Sequence, residues 1–144
     1  PRGKRLVVQL QETFREKMAP GFVDKLDAVA LAENAGLDLP PVMIYSDDLT
    51  HIVTEEGIAY LHKCSSMADR MAAIRAVAGF TEVGMAEDPD ETAALKERGI
   101  FKTPADLGID VRRANRDLLA AKSVKDLVNW SGGLYNPPAK FRNW

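Results

Sequence analysis

Cysteine is almost absent from this sequence, with Cys64 the only one among 144 residues. A single cysteine excludes an intrachain disulfide, which fits a reducing compartment, so we expect a cytoplasmic location. No uninterrupted apolar run approaches the length that a membrane-spanning helix needs, so we expect no membrane partner. The chain therefore lacks the features of a disulfide-stabilised secreted protein and of a membrane protein.

Neither sign of charge is in excess, because 19 Lys and Arg face 21 Asp and Glu, for a formal net charge of -2. Such a chain exerts no general attraction on polyanions, so we expect no nucleic-acid partner. A hydrophobic content of 46% and a charged content of 28% are ordinary for a globular protein. We predict a single domain over residues 1–144.

The most informative stretch is THIVTEEGIAYL, from Thr50 to Leu61. Apolar and β-branched residues lie on both sides of a Glu-Glu-Gly break, which predicts a strand, a tight turn and a second strand. Gly57 can adopt the positive φ that such turns demand. The turn would place Glu55 and Glu56 side by side at the end of a strand, where α/β enzymes often keep their chemistry.

The rest of the sequence predicts two more strands and a series of helices. We expect a buried strand at Leu6–Leu10, a helix between Gly21 and Gly36, and a strand at Val42–Tyr45. The predicted buried face of that helix consists of Phe22, Leu26, Val29 and Ala30. Because the Glu-Glu-Gly turn is too short for a crossover, we expect a mixed sheet.

Short capped helices are predicted after Cys64. They begin at Ser66, at Asp88-Pro89, at Thr103-Pro104, at Asp110 and at Ser123, each with a capping residue before its first turn. Met67, Met71, Ile74 and Ala78 form the predicted apolar stripe of the first of them. The tail 134–144 is expected to lie extended on a surface, held by Tyr135, Phe141 and Trp144.

Several blocks of the sequence resemble a known family. VTEEGIA resembles the VTE-x-G-IA segment of the acyl-CoA hydrolase and CoA-transferase superfamily, and SVKDLVNWSGGLYNPPAKFRNW resembles the C-terminus of the malonate decarboxylase alpha subunit. IAYLHKC, MAAIRAVAGFTEVG and KTPADLGID are similar to the same subunit. The resemblance extends over nearly all of the chain, from Gly3 onward.

The resemblance implies a fold and a function. The fold is α/β, the C-terminal portion of a three-layer CoA-transferase-like architecture with a hairpin around Glu55–Gly57 followed by several short helices. The family's alpha subunit is several times longer than this chain, so we expect the sequence to be a C-terminal segment of such a subunit. The implied activity exchanges acetate for malonate on a carrier-protein thioester.

The resemblance also implies the partners and the cofactor. The carrier's thiol belongs to a phosphoribosyl-dephospho-CoA prosthetic group, so we expect no cofactor bound directly to this chain. The expected partners are the acyl-carrier and decarboxylase subunits of the complex, with malonate and the acetyl thioester as substrates. Two alternatives stay open: a related CoA-transferase or acyl-CoA hydrolase, and a non-catalytic assembly or docking segment.

Glu55 and His51 are the candidate catalytic residues. A carboxylate at a turn can attack a thioester and give a mixed anhydride, and a histidine can act as an acid or a base. The alternative for Glu55 is structural support of the site, because the superfamily's nucleophilic glutamate lies in an upstream motif that this chain lacks. The alternative for His51 is a hydrogen-bonded strand histidine.

Other groups favour structural interpretations. His51 and His62 with Asp47 and Asp48 have no established metal-ligand spacing, so we expect no metal. Gly132-Gly133 follows a helix and is interpreted as its C-terminal cap, and Cys64 as a buried thiol. The densest basic patch, which could hold cofactor phosphates or an acidic carrier, is more typical of a solvated helix face. It comprises Arg112, Arg113, Arg116, Lys122 and Lys125.

Overall fold

The computed structural model describes residues 5–41 and 44–144. These residues form two compact units, Pro1–Lys102 and Thr103–Trp144, each described separately below. The strands are β1 (Val8–Leu10), β2 (His51–Thr54), β3 (Gly57–Ala59) and β4 (Phe101–Lys102), and the helices are α1 (Ala28–Ala35), α2 (Met67–Val77), α3 (Glu82–Met85), α4 (Pro89–Glu97), α5 (Val111–Ala120) and α6 (Val124–Trp130). The prediction of one domain over the whole chain stays a prediction.

The first unit contains a four-stranded sheet in the order β1-β2-β3-β4. β1 pairs with β2 in parallel, with Gln9 opposite Ile52, whereas β2 and β3 pair antiparallel, with Thr54 opposite Gly57. β4 adds a second antiparallel pair. The prediction of an α/β fold with a mixed sheet and a hairpin at Glu55–Gly57 is confirmed, whereas β4, with only two residues, was not predicted.

The core of the first unit lies between the sheet and the helices. Its small side chains come from α2, where three alanines and Val77 are buried, so that the helix can approach the sheet closely. The buried cluster comprises Ile52, Ala59, Leu61, Ala72, Ala73, Ala76, Val77, Leu95, Ile100 and Phe101.

The apolar face predicted for α2 is partly wrong. Met67 and Met71 are exposed, whereas Ile74 packs against the core and Ala78 is buried. Ser66 caps the helix as expected, its hydroxyl accepting from the backbone N–H of Asp69. The cap is a local feature and was predictable. Which face of α2 is buried depends on the sheet, because the small alanine side chains allow a closer approach to it than the longer methionines would.

The strand predicted at Leu6–Leu10 exists, but the prediction that it is buried is wrong. β1 begins at Val8, and Leu6, Val8 and Leu10 are 70%, 48% and 75% exposed. β1 is an edge strand of the sheet.

The helix predicted from Gly21 begins later, at Ala28. The carboxylate of Asp27 accepts hydrogen bonds from the backbone N–H groups of Val29 and Ala30, which fixes the start of α1. Phe22 and Leu26 therefore lie outside the helix, and its buried residues are Ala28 and Ala32 rather than the predicted face. Gly36 ends α1 at φ +66°, as expected.

The described part of the strand predicted at Val42–Tyr45 is not a strand. Val42 and Met43 lie outside the described residues, and Ile44 and Tyr45 belong to no strand. Ser46–Asp48 forms one turn of 3-10 helix.

In the second unit, the helices begin where the capping residues of the sequence predicted. α5 begins after the cap Asp110 and α6 after the cap Ser123, as predicted, although α5 ends at Ala120 rather than near Lys122. Neither helix contains a buried residue, and Tyr135, Phe141 and Trp144 of the tail are 46%, 62% and 48% exposed. Among the described residues of the whole chain, no helix combines the length and hydrophobicity needed to cross a bilayer.

Candidate functional site

The turn between β2 and β3 lies at the carboxyl end of two parallel strands. Because β1 and β2 run in the same direction, the residues that follow them meet at one edge of the sheet. Thr13 follows β1, and Glu55 follows β2. This edge is where the sequence analysis predicted the chemistry of the protein to lie.

Gly57 makes the turn possible. Its φ is +147°, and a Cβ atom built there would lie 2.2 Å from the carbonyl oxygen of Lys102. No other residue can occupy this position without moving β4, because the obstructing atom belongs to the backbone. The positive φ predicted for Gly57 is confirmed.

Thr13 holds the Glu55 side chain. The backbone N–H of Thr13 lies 3.2 and 3.1 Å from the two carboxylate oxygens, and the Thr13 hydroxyl donates to Oε1. Partial burial alone raises the pKa of Glu55, but the hydrogen bonds from the Thr13 hydroxyl and from the backbone N–H groups of Glu55 and Thr13 outweigh it. The pKa of this carboxyl is therefore below its usual value, and the group is ionised at neutral pH.

The geometry favours the structural alternative for Glu55. Both oxygens already accept hydrogen bonds, which withdraw the electron density that a nucleophilic attack on a thioester requires. The catalytic role of Glu55 stays a prediction. Glu56 contributes its backbone N–H, which donates to the Thr54 hydroxyl at 3.1 Å, and that hydroxyl donates to the Val77 carbonyl of α2 at 2.8 Å.

Thr13 belongs to a closed loop that the sequence analysis missed. The backbone N–H of Gly21 donates to the Thr13 carbonyl at 2.7 Å, and Phe14 and Pro20 form an isolated β-bridge. At the tip of the loop, Lys17 and Met18 both adopt φ +60°, a strained conformation for residues with side chains. Thr13 and Glu55 are 42 positions apart, so no local pattern could have revealed their contact.

His51 lies at the opposite end of β2 from the turn. Three residues, Ile52 to Thr54, lie between it and Glu55. The four steps from His51 to Glu55 correspond to about 13 Å along the strand. The structure therefore does not bring the two predicted catalytic residues together, and each has its own set of partners.

The partners of His51 are a hydroxyl and two rings. Its Nδ1 is 2.8 Å from the Thr50 hydroxyl, and its ring centroid is 5.3 Å from that of Tyr60 and 4.8 Å from that of His62. Burial, His62 and Lys63 all lower the pKa of His51, so the imidazole is mainly neutral at neutral pH. A neutral imidazole can accept a proton, and the catalytic role of His51 stays a prediction.

The comparison with known proteins identifies the family. The family model described as "Malonate decarboxylase, alpha subunit, transporter" matches residues 1–144. The chain belongs to the malonate decarboxylase alpha-subunit family. The family resemblance stated from the sequence is confirmed.

Individual relatives agree with the family assignment. The acetyl-S-ACP:malonate ACP transferase of Malonomonas rubra is 75% identical over 144 residues, which cover 100% of this chain and 26% of that protein. The malonate decarboxylase alpha subunit from Acinetobacter baumannii has a TM-score of 0.72 and 58% identity, covering 95% of this chain and 25% of that chain. A chain of a Pseudomonas malonate decarboxylase hetero-tetramer in complex with malonate has a TM-score of 0.71 and 53% identity, covering 100% of this chain and 26% of its own. This malonate decarboxylase alpha-subunit chain thus spans about a quarter of the length of these relatives.

The remaining candidates in this alpha-subunit chain have structural explanations. Burial and the Asp69 carboxylate raise the pKa of the half-buried Cys64 thiol, outweighing the opposite effect of Arg70 and Arg98, so the thiol is not activated. Gly132 and Gly133 both adopt positive φ just after α6, in accordance with a helix end.

Two candidates remain, the metal site and the basic patch. Over residues 5–41 and 44–144, no group of three or more His, Cys, Asp or Glu side chains is placed to hold a metal ion. In the basic patch, Arg113 donates to the Trp130 carbonyl at 2.8 Å and lies 3.6 Å from the Asp117 carboxylate, so this guanidinium joins α5 to α6.

Proposed function

We propose that this chain is the C-terminal portion of a subunit that exchanges acetate for malonate on a carrier-protein thioester. The observation that carries the proposal is 75% identity, across all 144 residues, to a relative named acetyl-S-ACP:malonate ACP transferase. A similar chain, crystallised within a hetero-tetramer in complex with malonate, supports both the substrate and the presence of other subunits.

The architecture of the whole subunit is, in this proposal, three-layered and CoA-transferase-like. Support comes from the mixed sheet with helices of the first unit and from the VTEEGIA hairpin that connects β2 to β3. The chain supplies the C-terminal strands of that architecture and the short helices that follow them.

The proposed exchange has two steps. In the first step a carboxylate oxygen of malonate attacks the acetyl carbonyl carbon and the carbon–sulfur bond breaks. The carrier thiolate is the leaving group, and the product is a mixed acetyl-malonyl anhydride. The thiolate then attacks the malonyl carbonyl carbon of the anhydride, which releases acetate and leaves the malonyl thioester. Both steps need oxyanion donors and a cation that binds the second carboxylate of malonate.

In this scheme Glu55 is a positioning residue. Its carboxylate fixes Thr13, and through Thr13 the closed loop that ends at Gly21, at the edge of the sheet where the strands β1 and β2 end. The competing assignment makes Glu55 a nucleophile that touches the thioester.

The proposal includes the partners that the family implies. The reacting thiol lies on the phosphoribosyl-dephospho-CoA group of the acyl-carrier subunit, and the decarboxylase subunits complete a cytoplasmic complex. No cofactor bound directly to this chain, no metal, no nucleic acid and no membrane enter the scheme. The formal net charge of -2 and the absence of a bilayer-crossing helix in the described residues are compatible with it.

A second candidate function is non-catalytic assembly. The exposed leucines Leu10, on the edge strand β1, and Leu6, just before it, favour this function, because a hydrophobic edge strand is a ready surface for more protein. In that case this segment would join the subunits while the catalytic groups lie elsewhere in the subunit.

The exchange is tested with the full-length subunit, acetyl-carrier protein and malonate, measuring acetate release and malonyl-carrier formation. Turnover with the carrier thioester and malonate supports the proposal, whereas hydrolysis of free acyl-CoA without malonate dependence would favour a hydrolase. Carrier binding by residues 1–144 alone, without turnover, would favour the assembly function for this segment.

Matched substitutions separate the two assignments of Glu55. If Glu55 positions Thr13, Glu55→Gln and Thr13→Ala should lower the exchange rate to a similar extent, and each should lower the melting temperature. If Glu55 is a nucleophile, Glu55→Gln alone should abolish turnover at an unchanged melting temperature, and Thr13→Ala should keep most of the rate.

A further inference from the structure

Two imidazole rings and an ammonium group lie together at the His51 end of the hairpin. The ring centroids of His51 and His62 are 4.8 Å apart, and Lys63 follows His62 directly. Lys63 Nζ lies 4.7 Å from the Tyr60 ring centroid and donates to the Gly99 carbonyl at 3.0 Å, which holds the ammonium beside the rings. Within the described chain, no carboxylate forms an ion pair with either histidine or with Lys63.

Both histidines are oriented through Nδ1. His62 Nδ1 is 3.4 Å from the Thr50 carbonyl, which can only accept, so Nδ1 is the donor. The Thr50 hydroxyl uses its one proton on the Val7 carbonyl at 2.8 Å, so His51 Nδ1 is also a donor. Each ring therefore keeps Nε2 for another partner, and in residues 5–41 and 44–144 neither Nε2 has one.

The charged groups on the neighbouring elements include Arg70 of α2 and the acids Asp47 and Asp48 of the 3-10 turn before β2. Arg70 of α2 donates to the carbonyls of Leu61 and Leu49, at 3.2 and 3.3 Å. The one nearby acid with a described partner, Asp48, is paired with Arg5. An anion that approaches the rings would meet the Lys63 ammonium and the two Nε2 atoms.

We propose that His51 and His62 form a binding site for an oxyanion group, a carboxylate or a phosphate. Protonation converts each Nε2 into an N–H donor, and two charged donors with Lys63 nearby are the chemistry that holds an oxyanion. Binding and protonation assist each other, because the anion offsets the repulsion between the two imidazolium ions. The inference depends only on this end of the hairpin and holds whether or not the subunit exchanges acyl groups.

Calorimetric titration of the full-length subunit, without carrier protein, tests the site with inorganic phosphate and with malonate in separate arms. We expect at least one of the two to bind about tenfold more tightly near pH 6 than near pH 8, in the range of ordinary coupling between sites. The arm that shows this pH dependence identifies the source as phosphate or carboxylate. Equal affinity at both pH values in both arms would overturn the proposal.

Substitutions at position 62 assign the effect to the site. His62→Gln should reduce the pH dependence, because only His51 can then gain a proton at the site. His62→Lys should bind the anion more tightly at pH 8 than the wild-type protein does, because the lysine keeps its charge. A gain of affinity in His62→Lys requires a folded protein. Misfolding caused by substitution at position 62 would therefore not explain opposite changes in anion affinity in the two variants. A pH dependence unchanged in His62→Gln would show that the anion binds elsewhere. The wild-type exchange assay tests the proposed function separately.

Discussion

The two units of this chain are stabilised in different ways. In the unit Pro1–Lys102, Leu95, Ile100 and Val77 are almost completely removed from solvent within one cluster. In the unit Thr103–Trp144, α5 and α6 have no buried residue. Apolar side chains of both helices, such as Leu118 and Leu127, line an open groove of about 450 Å³. Hydrophobic burial dominates the first unit, whereas helix caps and a few polar contacts dominate the second.

This difference predicts a difference in local stability. A fully buried leucine contributes about 2 kcal/mol, whereas an N-cap contributes about 1 kcal/mol. Among the described residues, the fully buried large side chains, Leu61 and Leu95 among them, all lie in the first unit. We therefore expect amide hydrogens of α2 to exchange more slowly than those of α5 and α6. Four predictions, each tested by substitution, can contradict or refine this comparison.

The largest effect is expected for Gly57→Ala. The added methyl group would lie 2.2 Å from the Lys102 carbonyl oxygen, so β4 must move away from β3. In addition, the backbone has φ +147° at this position, a conformation that alanine rarely adopts. We expect a loss of about 4 kcal/mol in the free energy of unfolding, measured by urea denaturation. The matched control is Gly36→Ala, where φ is +66° but nothing lies within 4 Å, with an expected loss of about 1 kcal/mol. Equal losses would show that steric contact at Gly57 is unimportant.

The second substitution, Leu95→Ala, tests burial in the first unit. Leu95 is 2% exposed and belongs to the core cluster, so its truncation should cost about 3 kcal/mol. Leu119 of α5, which is 89% exposed, is the matched control, and Leu119→Ala should change stability by less than about 0.5 kcal/mol. Comparable losses at the two positions would contradict the contrast between the units, because they would place Leu119 in a buried environment.

The same contrast explains which features could be predicted from the sequence. The starts of α5 and α6 depend on Asp110 and Ser123, whose side chains accept hydrogen bonds from backbone N–H groups three residues later. The turn at Gly57 depends on the permitted φ of one residue. Interactions this local are contained in short sequence patterns, so these predictions agree with the structure.

Features that depend on distant residues were not predictable. Nothing near Thr13 indicates that it will meet Glu55, and nothing near Met67 or Met71 indicates that the sheet will select alanines for contact. The burial predicted for β1 failed for a similar reason, because a strand's hydrophobicity does not reveal whether it lies at an edge of the sheet. The candidate site shares this limitation, since Glu55 and His51 are close in sequence but have separate partners.

The third prediction concerns pH and the contact between Thr13 and Glu55. The pKa of Glu55 is lowered in the folded state, so the contact stabilises fully above the ordinary glutamate pKa of 4.5 and is lost as the pH falls through the lower folded value. At neutral pH, Thr13→Ala should cost about 1.5 kcal/mol, measured by urea denaturation. The cost of Thr13→Ala should be smaller in acid, where the Glu55 carboxyl is protonated in the wild-type protein. A cost that is the same in acid as at neutral pH would mean that the Thr13 hydroxyl, and not the charge of Glu55, stabilises the loop.

The smallest effect on stability is expected at the helix caps. The two units should differ not in the free energy lost but in how many elements lose protection against hydrogen exchange. Ser123 and Ser66 are matched, because each hydroxyl accepts from the backbone N–H of an aspartate three residues later, at 3.3 and 3.1 Å. Ser123→Ala and Ser66→Ala should each cost about 1 kcal/mol. Hydrogen exchange should show the loss confined to α6 for Ser123→Ala, because α6 has no buried residue. For Ser66→Ala the loss should extend from α2 to β2 and β3, since α2 contributes to the same buried cluster as those strands. A local effect in both variants would show that the first unit does not open as one body.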